Sequence, residues 1–505
     1  VYGLAVAAFE RYLAIDTTGR NGQAYDFMAR SYNAMEMYHE AISAWDRVVS
    51  DFPECPCWGD AWLRRATAQE ALGGWASARS GLLTFVNAYP QHPLAAEALT
   101  RAAYILEKNS DYPQAAEAYR GVQARYPSSK QGAPALFAAG MCMYRQQQWE
   151  EAGADWRRLL EAYPSSDLKD ASQLWLGKAL LQAGQREQAT DAWRALAQKP
   201  ETYYGQRALA VAQAAKLDLG VAAQRAPSPS PLDQESAEVW LRGRLVDPPA
   251  GPLSVFPPAL ANDPSLVRGQ ELLKLGLVKQ ALEELNRVRQ RHTEDALALY
   301  RLSLLFRELK AYSLSIFCAE GLIRLSPGST ADVPLFVQRL AYPTYYANLV
   351  EAEAAERGID PLLLYALLRQ ESLFEAEATS YAAARGLMQI IPSTGDWIAG
   401  RLTWTDYRTE HLYRPYISIK FGTYYLWAAL QMLDGNVAAA LAGYNAGPGN
   451  AARWLERSTG DDDRFFAEIT LAEPRLYIER ILAYYATYQR LYGASTPNSR
   501  MKQEQ

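Results

Sequence analysis

Over the first two hundred residues the apolar positions come back in one register. Ala41, Ala78, Ala115, Ala152 and Ala189 stand 37 residues apart; three residues before each come Tyr38, Trp75, Tyr112, Trp149 and Arg186, and four after each come Trp45, Leu82, Tyr119, Trp156 and Trp193. Offsets of three and four put these side chains on one face of an α-helix. A proline closes every period, in Phe52-Pro53, Tyr89-Pro90, Tyr126-Pro127 and Tyr163-Pro164 and as Pro200 in the last. Proline donates no backbone hydrogen bond and pushes the residue before it out of the helical region, so each period predicts a helix that stops there. The small alanine lets a second helix lie close, and the aromatics beside it fill the groove. Carried backwards, the register meets Tyr2, Ala5 and Phe9. These predict the second helix of a further unit, and hence a natural chain that extends N-terminally.

Helical pairs at this spacing resemble the tetratricopeptide repeat, with about three residues added to its usual ~34. The resemblance implies a superhelix of repeats over residues 1–225, in which Arg186 marks an atypical capping unit and whose surface is open to protein partners. From Pro227 to Pro264 come nine of the 27 prolines, including Ala-Pro-Ser-Pro-Ser-Pro at 226–231. Residues 226–264 are therefore expected as an extended linker, with at most one short helix around Glu235 to Leu245. Helical periodicity returns at Leu266 and runs to about Leu325, which predicts two more helical hairpins in a segment 265–334. The polar stretch 494–505 reads as a disordered tail. No sustained alternating run signals a strand, so the expected fold class is all-α.

Composition narrows the function classes. At 49% hydrophobic and 21% charged residues the chain is globular, and a net charge of -5 argues against a nucleic-acid binder working through a basic surface. The four histidines, His39, His92, His292 and His411, are scattered, so no metal site and no cofactor are expected. Four cysteines make no disulfide framework; Cys55-x-Cys57 is too short for a C-x-x-C motif, and the cysteines are expected as buried small side chains. No apolar run reaches the ~18 residues of a membrane span, and no signal sequence opens this chain.

One glutamate stands out. Asp360-Pro361 is a helix start, an N-cap followed by proline at the first helical position, and Leu363, Leu364, Leu367 and Leu368 form an apolar stripe. Three and four residues further along that stripe lies Glu371. A carboxyl on the buried edge of a helix end is desolvated and holds its proton, which suits it to general acid work. The competing structural reading pairs Glu371 with Arg369 or Arg385.

The residues that follow favour the first reading. Glu371-Ser372-x-Phe374, then Ala378-Thr379-Ser380, Ala384-Arg385-Gly386-Leu387-Met388-Gln389-Ile390-Ile391-Pro392, Gly443-Tyr444-Asn445-Ala446-Gly447-Pro448-Gly449 and Glu473-Pro474-Arg475-x-Tyr477 resemble, in order and spacing, the soluble lytic murein transglycosylases. The resemblance covers roughly 265–493. It implies a goose-type-lysozyme-like α domain, placed at 335–493. Where that family has Ser-Pro-x-Gly-Ala, this chain has Ser380-Tyr381-Ala382-Ala383-Ala384, and Ala383 is expected to keep out of positive φ.

By that resemblance Glu371 is the general acid, then base, in the non-hydrolytic cleavage of the bond between N-acetylmuramic acid and N-acetylglucosamine in peptidoglycan glycan strands, a carbon-oxygen lyase reaction that leaves 1,6-anhydromuramoyl ends. Ser380 would hold the N-acetyl group and Ser372 support the helix end. Met388 and Gln389 would line the cleft, Tyr444 would orient Glu371 with Asn445 beside it, and Glu473 and Tyr477 would complete the floor. A second carboxylate is not required; Glu375 is expected as a solvated charge. Trp397, Trp404, Tyr424 and Trp427 are expected mostly in the core. The substrate implies the bacterial periplasm or cell envelope. Two alternatives stay open: a hydrolytic muramidase, and an inactive lysozyme-like domain on a repeat scaffold.

Overall fold

The computed structural model describes residues 2–15, 21–216, 234–326, 332–458, 462–469 and 471–493. The first part of the expected linker, 226–233, and the expected tail, 494–505, lie outside the described residues. Among the described residues the fold is all-α, its only extended pairing being isolated bridges of Thr379 with Arg385 and Arg385 with Ile390. Two compact units divide the chain, Val1–Pro200 with Arg207–Val221, and Glu201–Gln206 with Ala222–Gln505.

In the first unit the 37-residue register sets the helices. Tyr38–Asp51, Trp75–Ala88, Tyr112–Arg125, Trp149–Ala162 and Arg186–Ala197 alternate with Asn21–Ala34, Trp58–Ala71, Ala95–Lys108, Gly132–Arg145 and Lys169–Gln182. All five register alanines are fully buried, and so are Leu82, Trp156 and Trp193. The paired helix makes room for the indoles with glycine: a Cβ on Gly140 would meet the Trp156 ring at 2.6 Å, and one on Gly177 would meet Trp193 Nε1 at 2.2 Å. The buried indole N–H groups of two register tryptophans find acceptors, Trp45 on Asp26 Oδ1 at 3.0 Å and Trp193 on the Leu174 carbonyl at 3.0 Å, as burial of a donor favours. Phe52, Tyr89, Tyr126 and Tyr163, each before a proline, leave the helix at φ between -130° and -134°.

Cysteine corrects the expectation. Cys142 and Cys318 are buried thiols, but Cys55 and Cys57 are half-buried and joined by a disulfide. The turn between Tyr38–Asp51 and Trp58–Ala71 brings their Cα atoms to 5.1 Å, inside the range a disulfide spans.

The second unit differs from the expected extended linker. From Gln234 the chain forms the helix Gln234–Arg242, and Leu241 and Leu253 are buried with Tyr300, Leu322 and Val337 in one core. Glu238 accepts from the Leu253 N–H at 2.7 Å and Arg301 Nε donates to the Leu253 carbonyl at 2.9 Å. Prolines here rigidify a packed strap, because its few apolar side chains reach a core. The two expected hairpins follow as Pro264–Lys274 with Val278–Arg291 and Ala296–Glu308 with Tyr312–Leu325. Beyond them, the helix Pro361–Ser372 starts on the Asp360 carboxylate, which accepts the Leu362 N–H at 2.8 Å. Helix Ala472–Tyr492 packs along it: Tyr488 stacks on Tyr365, and Tyr485 donates to Asp360 at 2.7 Å.

Candidate active site

The helix carrying Glu371 ends abruptly. Leu373 and Phe374 both adopt positive φ, 50° and 66°, a costly pair for side chains with a Cβ. Phe374 is held there by full burial, edge-on to Tyr345 at 5.5 Å. Glu371 thus stands on the last turn before a fixed reversal. It keeps part of its surface open, while its carboxyl is withdrawn from water and receives the Tyr477 hydroxyl on Oε1. Burial pushes that carboxyl up to about 8, and the Tyr477 hydrogen bond lowers it only partly.

Neither arginine of the competing reading reaches it. Arg369 is buried and pairs with Glu320 and the Ala341 carbonyl, stacked over Tyr342 at 4.3 Å. Arg385 faces Glu410 at 3.6 Å. A second carboxylate is not supplied by Glu375 either: its Oε1 accepts the Ser313 N–H at 2.8 Å and caps helix Tyr312–Leu325. This corrects the expectation of a solvated charge. Burial raises the Glu375 carboxyl against the lowering of its Ser313 hydrogen bonds.

A loop closes over the helix end. Ser372 Oγ donates to the Leu387 carbonyl at 2.8 Å, tying loop to helix. Gly386 sits at φ 75°, where a Cβ would lie 1.9 Å from the Leu412 carbonyl oxygen, so only glycine fits. Gln389 uses both amide hydrogens within the loop, on the Gly386 carbonyl at 2.8 Å and the Ala378 carbonyl at 3.1 Å, leaving its oxygen as an acceptor. Met388 is a correction: its side chain is fully buried, facing Gly422 in helix Pro415–Met432, where a Cβ would meet it at 2.4 Å. Its main chain is what serves the site. Ser380 is exposed, and its Oγ accepts the Ala384 N–H at 3.1 Å. Ala383 does adopt positive φ, 60°, against expectation. The Ser380–Ala384 and Ala383–Ser380 backbone bonds, both 3.0 Å, hold the turn there.

The two tyrosines exchange the parts expected of them. Tyr444 donates to the Met388 carbonyl at 2.7 Å, and Tyr477, from helix Ala472–Tyr492, is the one that holds Glu371. Burial and the nearby Glu371 raise both hydroxyls well above the ordinary phenol range, so they remain donors. Asn445 is exposed on the last turn of Val437–Ala446, and Glu473 is exposed on the first turn of Ala472–Tyr492. Of the aromatics expected in the core, Trp404, Tyr424 and Trp427 are half-buried and Trp397 is 44% exposed. Trp397 packs against Tyr424 at 6.0 Å, and Trp404 lies edge-on to the buried Phe421 at 5.6 Å. Sequence reasoning missed the Glu375 cap and the Arg369–Glu320 pair, because both partners lie on a hairpin some fifty residues or more upstream.

The geometry is therefore one neutral-prone carboxyl, two tyrosine donors and a carbonyl-rich loop. Residues 348–466 match the family Transglycosylase SLT domain. The chain carries a transglycosylase SLT domain. Tetratricopeptide repeats match at 28–54, 134–166 and 171–202 and at 63–130 and 266–330, so the repeat type continues in the hairpins before the SLT domain. Soluble lytic murein transglycosylase of Salmonella typhimurium is 35% identical over 155 residues, which is 30% of this chain and 24% of that protein. The Escherichia coli K12 protein of the same name is 33% identical over 155 residues, 30% and 24% of the two chains. The match thus spans about a quarter of these relatives' length. Among solved structures, an inactive mutant of lytic transglycosylase Slt from Pseudomonas aeruginosa shares the fold, with a TM-score of 0.58 at 19% identity over 94% of this chain and 74% of that one. A 70-kDa soluble lytic transglycosylase solved with bulgecin A gives 0.51 at 18% identity, over 95% and 82%.

Proposed function

We propose that this chain is a peptidoglycan lytic transglycosylase in which Glu371 of the SLT domain acts alone as acid and then as base. The reading is carried by the Glu371 carboxyl, raised to about 8 by burial and held by Tyr477 with no arginine on it. Such a group is protonated at neutral pH and donates to the glycosidic oxygen between N-acetylmuramic acid and N-acetylglucosamine as the C1–O bond breaks. The carboxylate left behind then takes the proton of the muramoyl 6-hydroxyl, whose oxygen bonds to C1 and closes a 1,6-anhydro ring. A hydroxyl of the same sugar has a large effective molarity, worth up to ~7 to 11 kcal/mol when well oriented. Water would need a base on the opposite face, and Glu375, the nearest carboxylate in sequence, is committed to the Ser313 N–H.

The remaining roles follow the available atoms. Gln389 offers its amide oxygen to an acetamido N–H, and Ser380 and Asn445 are exposed where the N-acetyl group and neighbouring sugar would lie. Tyr444 fixes the Met388 carbonyl, and Glu473 borders the cleft beside Tyr477. The repeats offer a surface for protein partners. The substrate places the enzyme in the bacterial cell envelope, periplasmic or outside; no helix of the described residues is long and apolar enough to cross a membrane. Purified chain acting on peptidoglycan tests the reading: mass spectrometry should find 1,6-anhydromuramoyl ends. Fragments heavier by one water per cleavage would assign a hydrolase instead, and Glu371→Gln retaining activity within tenfold of the parent would remove Glu371 from the chemistry.

A further inference from the structure

The disulfide in the first unit has no shape to maintain. Cys55 and Cys57 lie in the turn that every repeat uses between its paired helices, and the 37-residue register places them in columns with His92, Ser129 and Ser166, and with Leu94, Gln131 and Leu168. Cys57, Leu94, Gln131 and Leu168 are the N-cap residues of their helices, with φ between -84° and -91° and ψ between -16° and 1° in all four. The turn is the same with and without cysteine. Closing so short a loop also constrains the unfolded chain less than any long-range bridge would.

What the turn does supply is a partner for each sulfur. In two of the three cysteine-free units the first column is a hydrogen-bond acceptor: His92 Nδ1 receives the Leu94 N–H at 3.1 Å and Ser166 Oγ the Leu168 N–H at 3.2 Å, while Ser129 Oγ donates to the Tyr126 carbonyl. Cys55 Sγ takes that place and receives the Cys57 N–H at 3.3 Å. A donated hydrogen bond at a helix start favours a thiolate. Cys57 Sγ lies 3.6 Å from the Gly22 carbonyl oxygen, a partner that suits a protonated thiol. The site is thus already arranged for the reduced pair, Cys55 as thiolate and Cys57 as thiol, and both residues are half-buried rather than sealed.

We propose that Cys55 and Cys57 form a thiol–disulfide exchange centre that reacts with small thiols while the chain stays folded. An external thiolate attacks Cys57 Sγ; the new sulfur–sulfur bond forms there as the Cys55–Cys57 bond breaks, and the electron pair leaves on Cys55 Sγ, to which the Cys57 N–H donates a hydrogen bond. A second external thiolate attacks the external sulfur of the mixed disulfide. It forms the external disulfide and leaves the pair on Cys57, which takes a proton from water and turns its S–H to Gly22. Two small thiols are oxidised and the protein disulfide is reduced; the reverse sequence oxidises the dithiol. Better-stabilised thiolates leave faster, which sets the direction of the first attack.

The test uses the full chain with reduced glutathione at neutral pH, quenched with iodoacetamide and read by peptide mass spectrometry. Cys142 and Cys318 are buried, so their alkylation reports unfolding. Glutathione should open the bond with Cys142 and Cys318 still unlabelled, and early quenching should trap glutathione on Cys57 with alkylated Cys55 at least fivefold over the reverse arrangement. Opening only together with labelling of the buried cysteines overturns the proposal, as does a mixed disulfide equally or mainly on Cys55. In the single variants, the Cys55 thiol of Cys57→Ser should alkylate at least tenfold faster at neutral pH than the Cys57 thiol of Cys55→Ser. Equal rates overturn it as well.

Discussion

Glu371→Gln should stabilise the protein, and the gain should depend on pH in one direction. A carboxyl raised from 4.5 to about 8 on folding binds its proton more tightly in the folded chain. The stability it contributes is whole below the unfolded value near 4.5 and is lost as pH rises toward about 8, because the unfolded chain ionises first. From 4.5 to pH 7 is 2.5 units, and at about 1.4 kcal/mol per unit the parent loses ~3 kcal/mol by pH 7 and ~4 by pH 8, then no more. Glutamine keeps the acceptor for the Tyr477 hydroxyl and does not titrate. Every other group titrates alike in the two proteins, so the difference between variant and parent isolates Glu371. Calorimetric unfolding from pH 4 to 9 measures it: near-equal midpoints at pH 4, and a gap opening to roughly 6 °C by pH 7 at about 2 °C per kcal/mol for a unit of this size. A gap that does not grow between pH 5 and 8, or a variant less stable than the parent at pH 8, would refute the desolvation argument, and with it the reason Glu371 carries a proton at neutral pH.

Tyr477→Phe removes the hydrogen bond that lowers Glu371, so the alkaline limb of the pH–activity profile should move up while turnover falls roughly tenfold from lost orientation; a limb that moves down contradicts the assignment. Glu375→Ala leaves the Ser313 N–H without its acceptor and should cost about 1 kcal/mol of the second unit's stability, whereas Glu375→Gln, which keeps an acceptor oxygen, should recover most of it in the same melting experiment. Ala115→Trp overpacks a fully buried register position and should cost on the order of 1 to 3 kcal/mol or more. An unchanged melting transition for the first unit would contradict the 37-residue register.

Signals that repeat or stay local were legible. The alanine and aromatic columns act between adjacent helices, so their period alone announced the five helices that carry them, four of which end at the aromatic before the closing proline. Asp360-Pro361 likewise announced the glutamate helix, because capping is decided within three residues. The disulfide was missed for the opposite reason: its geometry comes from the repeat turn, which brings the Cys55 and Cys57 Cα atoms to 5.1 Å, and not from cysteine spacing. The proline-rich strap was misread since composition registers prolines, while its order rests on Leu241 and Leu253 reaching a core built from other helices.

The exchange of parts between Tyr444 and Tyr477 shows how far motif order reaches into a site. Both tyrosines were placed near Glu371 by their motifs, and both do carry its electrostatic influence. Which one donates to the carboxyl depends on where the acceptors lie. The loop turns at Gly386 and again at Gln389, at φ 75° and 47°, and presents the Met388 carbonyl to Tyr444 at 2.7 Å. With that hydroxyl engaged, Glu371 is held by a residue 106 positions away, on the helix Ala472–Tyr492. That helix is in turn fixed by Tyr485 on Asp360, the N-cap of the glutamate helix, and by Tyr488 on the Pro343 carbonyl. The start and the end of one short helix are therefore bound to the same long one, so a shift of Ala472–Tyr492 along its axis would move the Tyr477 hydroxyl and the cap together. The proton on Glu371 is positioned by that docking, a long-range fact that no local pattern around Glu371 encodes.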